Sequence, residues 1–297
     1  MMLEGRVAII TGAGAGLGRS HAHFLAARGA RIVVNDLSVE AANAVAEEIR
    51  SNGGAAVAAG ASVTDEQAMS SMVDNAMREW GRVDILVNNA GILRDKSFAK
   101  MSLDEFRLVL DVHVMGSVIC TKAVWPIMQA QAYGRVVMTT SSSGLYGNFG
   151  QSNYAAAKMA LVGLMQTLPI EGEKYGIRVN RIAPTAATQM TAGILSEESL
   201  VLLAPERVSP GLLKLVGSDA PTRTILCAGA GHFATANITL TEGLFVGDAS
   251  DPAEQVTQNW DQISDRSEEI VPNYGFAQAE REAASASSAR IRAVKQA

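Results

Sequence analysis

A tyrosine and a lysine stand four residues apart in the segment NYAAAKMALVG, residues 153–163. On a helix this spacing places Tyr154 and Lys158 one above the other on the same face. A phenol with its ordinary pKa of about 10 is a poor base near neutral pH, but a neighbouring ammonium stabilises the phenolate and lowers that pKa. The pair therefore predicts a general acid/base for an alcohol or a carbonyl. The same spacing also occurs on amphipathic surface helices, so the pair alone leaves both interpretations open.

A serine precedes this pair at a place where it could join them. Ser141 lies thirteen residues before Tyr154 and closes the apolar run GRVVMTTS. Ligands of doubly wound sheets bind outside the carboxyl ends of the strands, so the Ser141 hydroxyl and the following helix can converge on one crevice. The intervening segment SSSGLYGNFGQS is rich in Gly, Ser and Asn. It is predicted to form a substrate wall lined by Leu145, Tyr146 and Phe149.

A glycine-rich segment, IITGAGAGLGR, follows the first apolar run and opens a helical pattern. Gly12, Gly16 and Gly18 permit a tight turn and let backbone N–H groups approach a pyrophosphate at the helix N-terminus. Asp36 ends the next apolar run, 24 residues after Gly12. A carboxylate there can accept both hydroxyls of an adenosine ribose and repels a 2′-phosphate. It could instead cap the next helix, but Ser38 already suits that role, so the pattern favours NAD over NADP.

Strand-like and helical segments alternate over the first 180 residues. Continuous Val/Ile-rich runs predict strands buried on both faces at residues 6–11, 30–36, 83–89, 134–141 and 177–183. Amphipathic helical patterns separate them. This alternation predicts an α/β fold with a doubly wound, Rossmann-like parallel sheet, a single domain with helices on both faces.

Later segments depart from this alternation. The segment RTILCAGAGHFATANITLTEGLFVG predicts a seventh strand followed by a further β-excursion. The domain is expected to cover residues 1–249, with a substrate lid at about 185–217 whose apolar face includes Met190, Ile194 and Leu195. Residues 250–297 are polar and are expected to form a peripheral extension without a catalytic role.

Composition narrows the classes of partner. The formal net charge is −5 and the pI is near 5.5, which argues against a nucleic-acid partner. Cys120 and Cys227 each sit in an apolar run and are expected to be buried free thiols, and no ligand spacing predicts a metal site. No stretch approaches roughly eighteen consecutive apolar residues, and no signal peptide is recognisable, so no membrane span and a cytoplasmic location are expected.

Together, TGAGAGLG, NNAG at residues 88–91, and Ser141 with YAAAK resemble the motifs of the short-chain dehydrogenase/reductase family over about residues 3–247. The resemblance implies that Tyr154 is the general acid/base, that Lys158 lowers its pKa and holds the nicotinamide ribose, and that Ser141 orients the substrate oxygen. It implies a set of NAD contacts at Gly12, Gly16, Leu17, Gly18, Asp36, Leu37, Ser62, Val63, Asn89, Gly91, Tyr154, Lys158, Pro184 and Thr188.

Longer segments resemble one subgroup of that family. GAGAGLGR, NNAGILRDKSF and SSGLYGNFGQSNYAAAK are similar to the (3R)-hydroxyacyl-CoA dehydrogenases, which include a domain of peroxisomal multifunctional enzyme type 2 (17β-hydroxysteroid dehydrogenase type 4) and single-domain bacterial relatives. His113 stands where many family members have the Asn of a water relay. It is a candidate catalytic residue that could take over that bridge, or it could be a helix histidine bonded to backbone. Ser62-Val63 and Pro184-Thr185 replace an Asp-Val and a Pro-Gly pair of the common pattern.

The resemblance implies NAD-dependent oxidation of a secondary alcohol to the ketone, with a (3R)-3-hydroxyacyl-CoA as the first candidate substrate and a 17β-hydroxysteroid as the second. Arg94 and Lys96 could meet CoA phosphates or remain solvated loop charges. A 3-oxoacyl thioester reductase and a non-catalytic dinucleotide-binding protein are the alternatives. A homodimer or homotetramer is expected, built on helices at about 101–131 and 153–171.

Overall fold

The computed structural model describes residues 2–188, 197–247 and 249–296. The expected lid residues Met190, Ile194 and Leu195 lie outside these described ranges. The chain divides into two compact units, Met1–Ala236 and Asn237–Ala297, so the second unit begins earlier than the extension expected from residue 250.

The first unit is built on one sheet. Among the described residues it has eight strands in the order β3-β2-β1-β4-β5-β6-β7-β8. The first seven are parallel, and β8 is antiparallel to β7. The bounds are β1 Val7–Ile10, β2 Arg31–Asp36, β3 Ala55–Gly60, β4 Ile85–Asn88, β5 Gly134–Thr139, β6 Ile177–Thr185, β7 Ile225–Gly229 and β8 His232–Ala236. The strand order reverses between β1 and β4, which creates a crevice at their carboxyl ends.

Helices connect these strands as the alternation predicts. Their bounds are α1 Gly16–Ala26, α2 Val39–Ser51, α3 Glu66–Trp80, α4 Leu103–Leu110, α5 Gly116–Ala130, α6 Ser142–Tyr146, α7 Ser152–Gly172, α8 Glu197–Leu202 and α9 Ser209–Val216. Ser38 caps α2 by accepting a hydrogen bond from the Ala41 N–H, as its position in the sequence suggests.

Two hydrophobic clusters cover the two faces of the sheet. Ile10 and Ile32 belong to one cluster, which includes Leu25 of α1. Ile9 belongs to the other, which includes Met165 of α7. Neighbouring residues of a strand point to opposite faces, so this division places helices on both sides of the sheet and confirms the predicted fold class.

The helical stretch Leu103–Ala130 joins α4 and α5 through a π-helical turn, Asp111–Met115. By length and composition this stretch could cross a membrane, but the core helices of globular proteins pass the same test. Here α5 packs against α3, β4 and β5. The stretch is therefore weak evidence for a membrane span.

The second unit contains α10 Pro252–Gln258, α11 Trp260–Ile263 and α12 Ala277–Gln296, with an isolated β-bridge between Leu240 and Ile270. None of the side chains described in this unit is fully buried. The unit thus contains helices but no buried core of its own among the described residues.

Candidate active site

The predicted site residues gather at one edge of the sheet. Because parallel strands end at the same edge, the segments that follow them meet there. The glycine segment follows β1, Asp36 ends β2, Ser62 and Val63 follow β3, Asn89 and Gly91 follow β4, Ser141 follows β5, and Pro184 lies near the end of β6.

The shape of the glycine segment depends on hydrogen bonds from Asn89 and on the conformations of its glycines. The Asn89 amide donates to the Thr11 and Gly12 carbonyls at 3.0 and 3.1 Å. Gly12 and Gly16 have φ values of +62° and +53°, in the left-handed region that favours glycine. A Cβ on Gly18 would lie 2.2 Å from the Gly12 oxygen, so a side chain there would force the turn open. The Asn89 side chain thus shapes the loop.

The Asp36 carboxylate stands beside this loop with backbone donors only. It accepts hydrogen bonds from the Gly14 N–H at 2.9 Å and the Ser38 N–H at 3.1 Å. No basic side chain of the described residues forms an ion pair with it. Two carboxylate oxygens with spare lone pairs suit a ribose diol, and their negative charge would repel a 2′-phosphate. The donor and acceptor set therefore fits NAD.

Other expected cofactor contacts surround the same crevice. Leu37 is 78% exposed next to Asp36, and Leu17 is buried at the start of α1. Ser62 hydrogen-bonds the Thr64 hydroxyl at 2.8 Å. A Cβ on Gly16 would lie 3.3 Å from the Thr188 methyl, so the segment after β6 reaches the glycine loop.

Ser141, Tyr154 and Lys158 converge next to this crevice. Ser141 caps α6, and its hydroxyl accepts a hydrogen bond from the Ser143 N–H at 3.2 Å. The same hydroxyl is near enough to the Tyr154 phenol to lower its pKa. The Lys158 ammonium donates to the Thr139 carbonyl at 2.7 Å. It lies 5.4 Å from the centroid of the Tyr154 ring. The helical spacing thus places the lysine beside the tyrosine, as predicted.

Burial dominates the electrostatics of this cluster. Burial raises the pKa of Tyr154, the Ser141 hydroxyl lowers it in part, and the Asp95 carboxylate raises it. Burial and the Arg181 guanidinium lower the pKa of Lys158 to about 7. Burial is the largest of these influences on the phenol, and the expectation that Lys158 lowers the pKa of Tyr154 stays a prediction.

His113 lies within the π-helical turn and is buried. Its Nε2 is 3.0 Å from the Ile92 nitrogen and 2.8 Å from the Ile92 oxygen, so the ring is bonded to backbone. Its ring also meets the Tyr154 ring edge-on, with centroids 5.2 Å apart, and its Nδ1 has no partner among the described residues. Burial, together with Lys158, lowers the pKa of His113 to about 3, so it is neutral near pH 7.

The His113 ring accounts for the need for a glycine at residue 91. A Cβ on Gly91 would lie 2.2 Å from the His113 Cε1 atom, so any side chain would displace the ring. The glycine therefore makes room for His113 as well as lying at the edge of the crevice.

The loop after β4 carries two cations, Arg94 and Lys96, which differ in their partners. Lys96 forms an ion pair with Glu105 at 2.5 Å, whereas the exposed Arg94 guanidinium bonds only to the Leu93 carbonyl among the described contacts. Arg94 is therefore the more available cation of the two. Tyr146 and Phe149 are 72% and 89% exposed, so the predicted substrate wall presents aromatic side chains to solvent.

Sequence reasoning missed two buried residues that hold this site. The fully buried Asn153 donates to the Arg94 carbonyl at 3.0 Å and accepts from the Tyr154 N–H at 2.7 Å, which fixes the start of α7. Arg181 in β6 is fully buried behind Lys158. A charged residue inside a strand buried on both faces was the available signal for Arg181.

Comparison with known proteins identifies the family to which this chain belongs. The family model described as short chain dehydrogenase matches residues 6–199. Peroxisomal multifunctional enzyme type 2 of Drosophila melanogaster is 51% identical over 216 residues, which cover 70% of this chain and 36% of that protein. A short-chain type dehydrogenase/reductase of Mycobacterium tuberculosis is 43% identical over 275 residues, 89% of this chain and 96% of that protein. A 3-oxoacyl-[acyl-carrier-protein] reductase of Synechocystis is 38% identical over 225 residues, 73% and 91% of the two chains.

Solved structures of similar fold support the same family. The full-length multifunctional enzyme of Drosophila superposes with a TM-score of 0.81 at 37% identity, covering 100% of this chain and 50% of that one. A 7α-hydroxysteroid dehydrogenase complexed with NADH and 7-oxo glycochenodeoxycholic acid superposes with a TM-score of 0.72 at 33% identity, covering 77% and 94%. This chain therefore spans about a third to a half of the multifunctional enzyme and nearly all of the single-domain relatives.

Proposed function

Because the chain belongs to the short-chain dehydrogenase family, we propose that it oxidises a secondary alcohol to a ketone with NAD. The observation that carries this proposal is the grouping of Ser141, Tyr154 and Lys158 next to a crevice where the Asp36 carboxylate accepts only backbone hydrogen bonds among the described contacts. Names of relatives support an oxidoreductase that acts on a CH–OH group.

Each residue of the cluster has a distinct task in this proposal. Ser141 orients the alcohol oxygen, and the Tyr154 phenolate accepts the hydroxyl proton at its oxygen and becomes the neutral phenol. Lys158 provides the positive charge that stabilises the phenolate, and we assign neutral His113 to orient the tyrosine ring and to offer Nδ1 as a hydrogen-bonding atom in the relay. Gly12, Gly16, Gly18 and Asp36 would hold the cofactor. When bound, NAD supplies a nicotinamide that accepts a hydride.

The substrate class proposed is a (3R)-3-hydroxyacyl-CoA. The exposed Tyr146 and Phe149 offer apolar surface for an acyl chain, and Arg94 offers a cation for a phosphate. Hydroxysteroids are a second candidate class, favoured by the structural similarity to a 7α-hydroxysteroid dehydrogenase. A flat aromatic wall suits either an acyl chain or a steroid ring system.

A stereochemical assay tests this proposal. The purified chain is incubated with NAD and a series of (3R)- and (3S)-3-hydroxyacyl-CoA thioesters, and with 17β-hydroxysteroids, while NADH formation is followed. We expect turnover of the 3R thioesters and not of the 3S series. Turnover of neither thioester series would exclude the proposed substrate class.

A 3-oxoacyl thioester reductase is the second candidate, favoured by the similarity to the Synechocystis reductase. The two functions differ in cofactor and direction. Asp36 at the expected ribose site predicts that kcat/KM for NAD exceeds that for NADP by about tenfold or more, because the carboxylate would repel a 2′-phosphate. A strong preference for NADPH with 3-oxoacyl thioesters would favour the reductase.

We also propose a homodimer or homotetramer. The exposed face of α7 carries Ala156, Met159, Ala160, Gly163 and Ile170, an apolar stripe that is interrupted by Thr167 and that a second copy could cover. Gly163 faces open space, so Gly163→Arg should fold normally and shift the mass measured by light scattering toward the monomer. An unchanged mass would move the contact elsewhere.

The proposed cellular location is the cytoplasm. The multifunctional relatives are named peroxisomal, so the alternative is a location inside peroxisomes. Fractionation of the source cells followed by detection with an antibody separates the two.

A further inference from the structure

Arg181 is a buried cation without a counter-charge. It lies inside β6 with no solvent exposure, and no carboxylate forms an ion pair with it among the described residues. Its Nη1 lies 3.4 Å from the Lys158 carbonyl oxygen and its Nη2 lies 3.9 Å from the Met138 sulfur, while its Nε has no partner there. A buried charge that is not paired is costly, so its position calls for an explanation.

The guanidinium lies directly behind the turn of α7 that carries Lys158. The Lys158 carbonyl accepts a hydrogen bond from the Thr140 hydroxyl at 2.9 Å in addition to its contact with Arg181. At the other end of the residue, the Lys158 ammonium donates to the Thr139 carbonyl at 2.7 Å. The lysine is therefore held at its backbone and at its ammonium by β5 and β6.

We propose that Arg181 is a positioning residue of the proton-transfer site: it holds the turn of α7 that carries Lys158 and places a second positive charge behind that ammonium. The inference rests on the proposed function, in which Lys158 supports Tyr154. Neither the family motifs nor the helical spacing of Tyr154 and Lys158 requires a charge at residue 181.

Few charges face Lys158 from the elements around it. Arg181 faces it from β6, and His113 in the π-helical turn is neutral. Its own helix contributes the Tyr154 phenol, β5 contributes only carbonyl and hydroxyl groups, and Asp95 in the loop after β4 acts on Tyr154. With no carboxylate acting on it, the pKa of Lys158 is lowered by burial and by Arg181, to about 7.

This arrangement has a measurable consequence. Removal of the guanidinium removes one of the two causes that favour the uncharged amine, so the pKa of Lys158 should rise in Arg181→Met. A rise of one in that pKa corresponds to a tenfold larger ratio of ammonium to amine at a given pH. In the proposed reaction, the alkaline limb of kcat/KM that reports loss of the Lys158 charge should move to higher pH by the same amount.

The experiment uses the full chain without ligand and with substrate. Lysine side chains labelled with carbon-13 are titrated by NMR, the Lys158 signal is assigned with Lys158→Met, and the pH profile of kcat/KM is recorded. Arg181→Met should raise the Lys158 pKa, whereas Arg181→Lys should restore a value near that of the wild type. Because an unpaired buried charge is removed, the melting temperature of Arg181→Met should equal or exceed that of the wild type.

Two controls separate charge from anchoring. Thr140→Val removes the other hydrogen bond to the Lys158 carbonyl without changing any charge, so it should lower kcat while leaving the Lys158 pKa unchanged. Arg178→Gln removes a charge from the opposite face of the same strand, where Arg178 bonds the Ala220 carbonyl, and should change neither quantity.

A Lys158 titration in folded Arg181→Met that coincides with the wild-type curve would overturn the inference. If Arg181→Met does not fold, Arg181→Gln keeps a donor for the Lys158 carbonyl and carries the same expectation. A raised Lys158 pKa in a chain that oxidises none of the tested alcohols would refute the proposed function and leave the electrostatic part of this inference standing.

Discussion

The glycine loop and the turn of α7 that carries Lys158, called the lysine turn below, lie at the same edge of the sheet. They are stabilised by different kinds of interaction. Around the glycine loop, Asn89 and Thr11 bind backbone atoms, and Asp36 is met by backbone N–H groups. Around the lysine turn, Lys158 and Arg181 are cations buried without carboxylates among the described residues. A site that binds a ligand can be built from neutral donors, whereas a site that moves a proton needs titratable groups, even where burial disfavours their charged forms.

The largest effect expected is at the lysine turn. Tyr154→Phe removes the atom that exchanges the proton and should lower kcat on the order of 10²–10⁴-fold, while the affinity for NAD changes little. Steady-state kinetics and NAD titration by calorimetry measure the two quantities. Activity equal to the wild type would remove Tyr154 from the reaction.

The next effect is at the glycine loop. Gly18→Ala places a Cβ 2.2 Å from the Gly12 oxygen and 2.6 Å from the Asn89 amide nitrogen. Overpacking of this kind costs about 1–3 kcal/mol, so NAD binding should weaken roughly ten- to hundredfold. Gly163→Ala, which faces open space on α7, is the matched control and should bind NAD normally. Equal affinity in Gly18→Ala would show that the loop tolerates the side chain.

Asp36→Ala tests the carboxylate that stands beside the glycine loop. Loss of hydrogen bonds to a charged group costs about 1.5–3 kcal/mol, so NAD affinity should fall about ten- to hundredfold and the discrimination against NADP should shrink. The ratio of kcat/KM for the two cofactors measures this discrimination. A ratio that does not change would mean that Asp36 does not contact the ribose.

The smallest effect on activity is expected for substitution of His113, and a second buried histidine, His21, serves as its comparison. His113 lies at the lysine turn, whereas His21 in α1 is bonded to the Ser209 hydroxyl at 2.9 Å and is remote from the proposed chemistry. Burial lowers the pKa of each to about 3, below the ordinary value of 6.5. Below pH 6.5 the unfolded chain binds more protons than the folded chain, so stability falls with decreasing pH between about 6.5 and 3.

Substitution should make the two histidines distinguishable. Each contributes up to about 1.4 kcal/mol per pH unit in that window, so His21→Asn and His113→Asn should each flatten the pH dependence of the unfolding free energy. Denaturant unfolding at several pH values measures the slope. Only His113→Asn should also change kcat, by a few-fold, and a similar change in His21→Asn would deny His113 a special role.

Much of the fold follows from local pattern. The five predicted strand regions all contain strands, because short Val/Ile-rich runs bounded by turn residues are typical of the buried strands of a parallel sheet. The pattern did not single out β3, whose sequence AAVAAG has small side chains with little preference for strands. Its place at the edge of the sheet, next to β2, is decided by packing against α2.

The candidate site divides in the same way. The sequence alone determined that Tyr154 and Lys158 share a helix face, that glycines follow β1 and that an acid ends β2, because these relations depend on residue spacing and on which residues end a strand. Tertiary structure decided that Arg181 lies behind Lys158, that His113 fills the space Gly91 leaves, and that the pKa of Tyr154 is raised. Burial and charge proximity arise from contacts between segments far apart in the chain, and no local pattern encodes them.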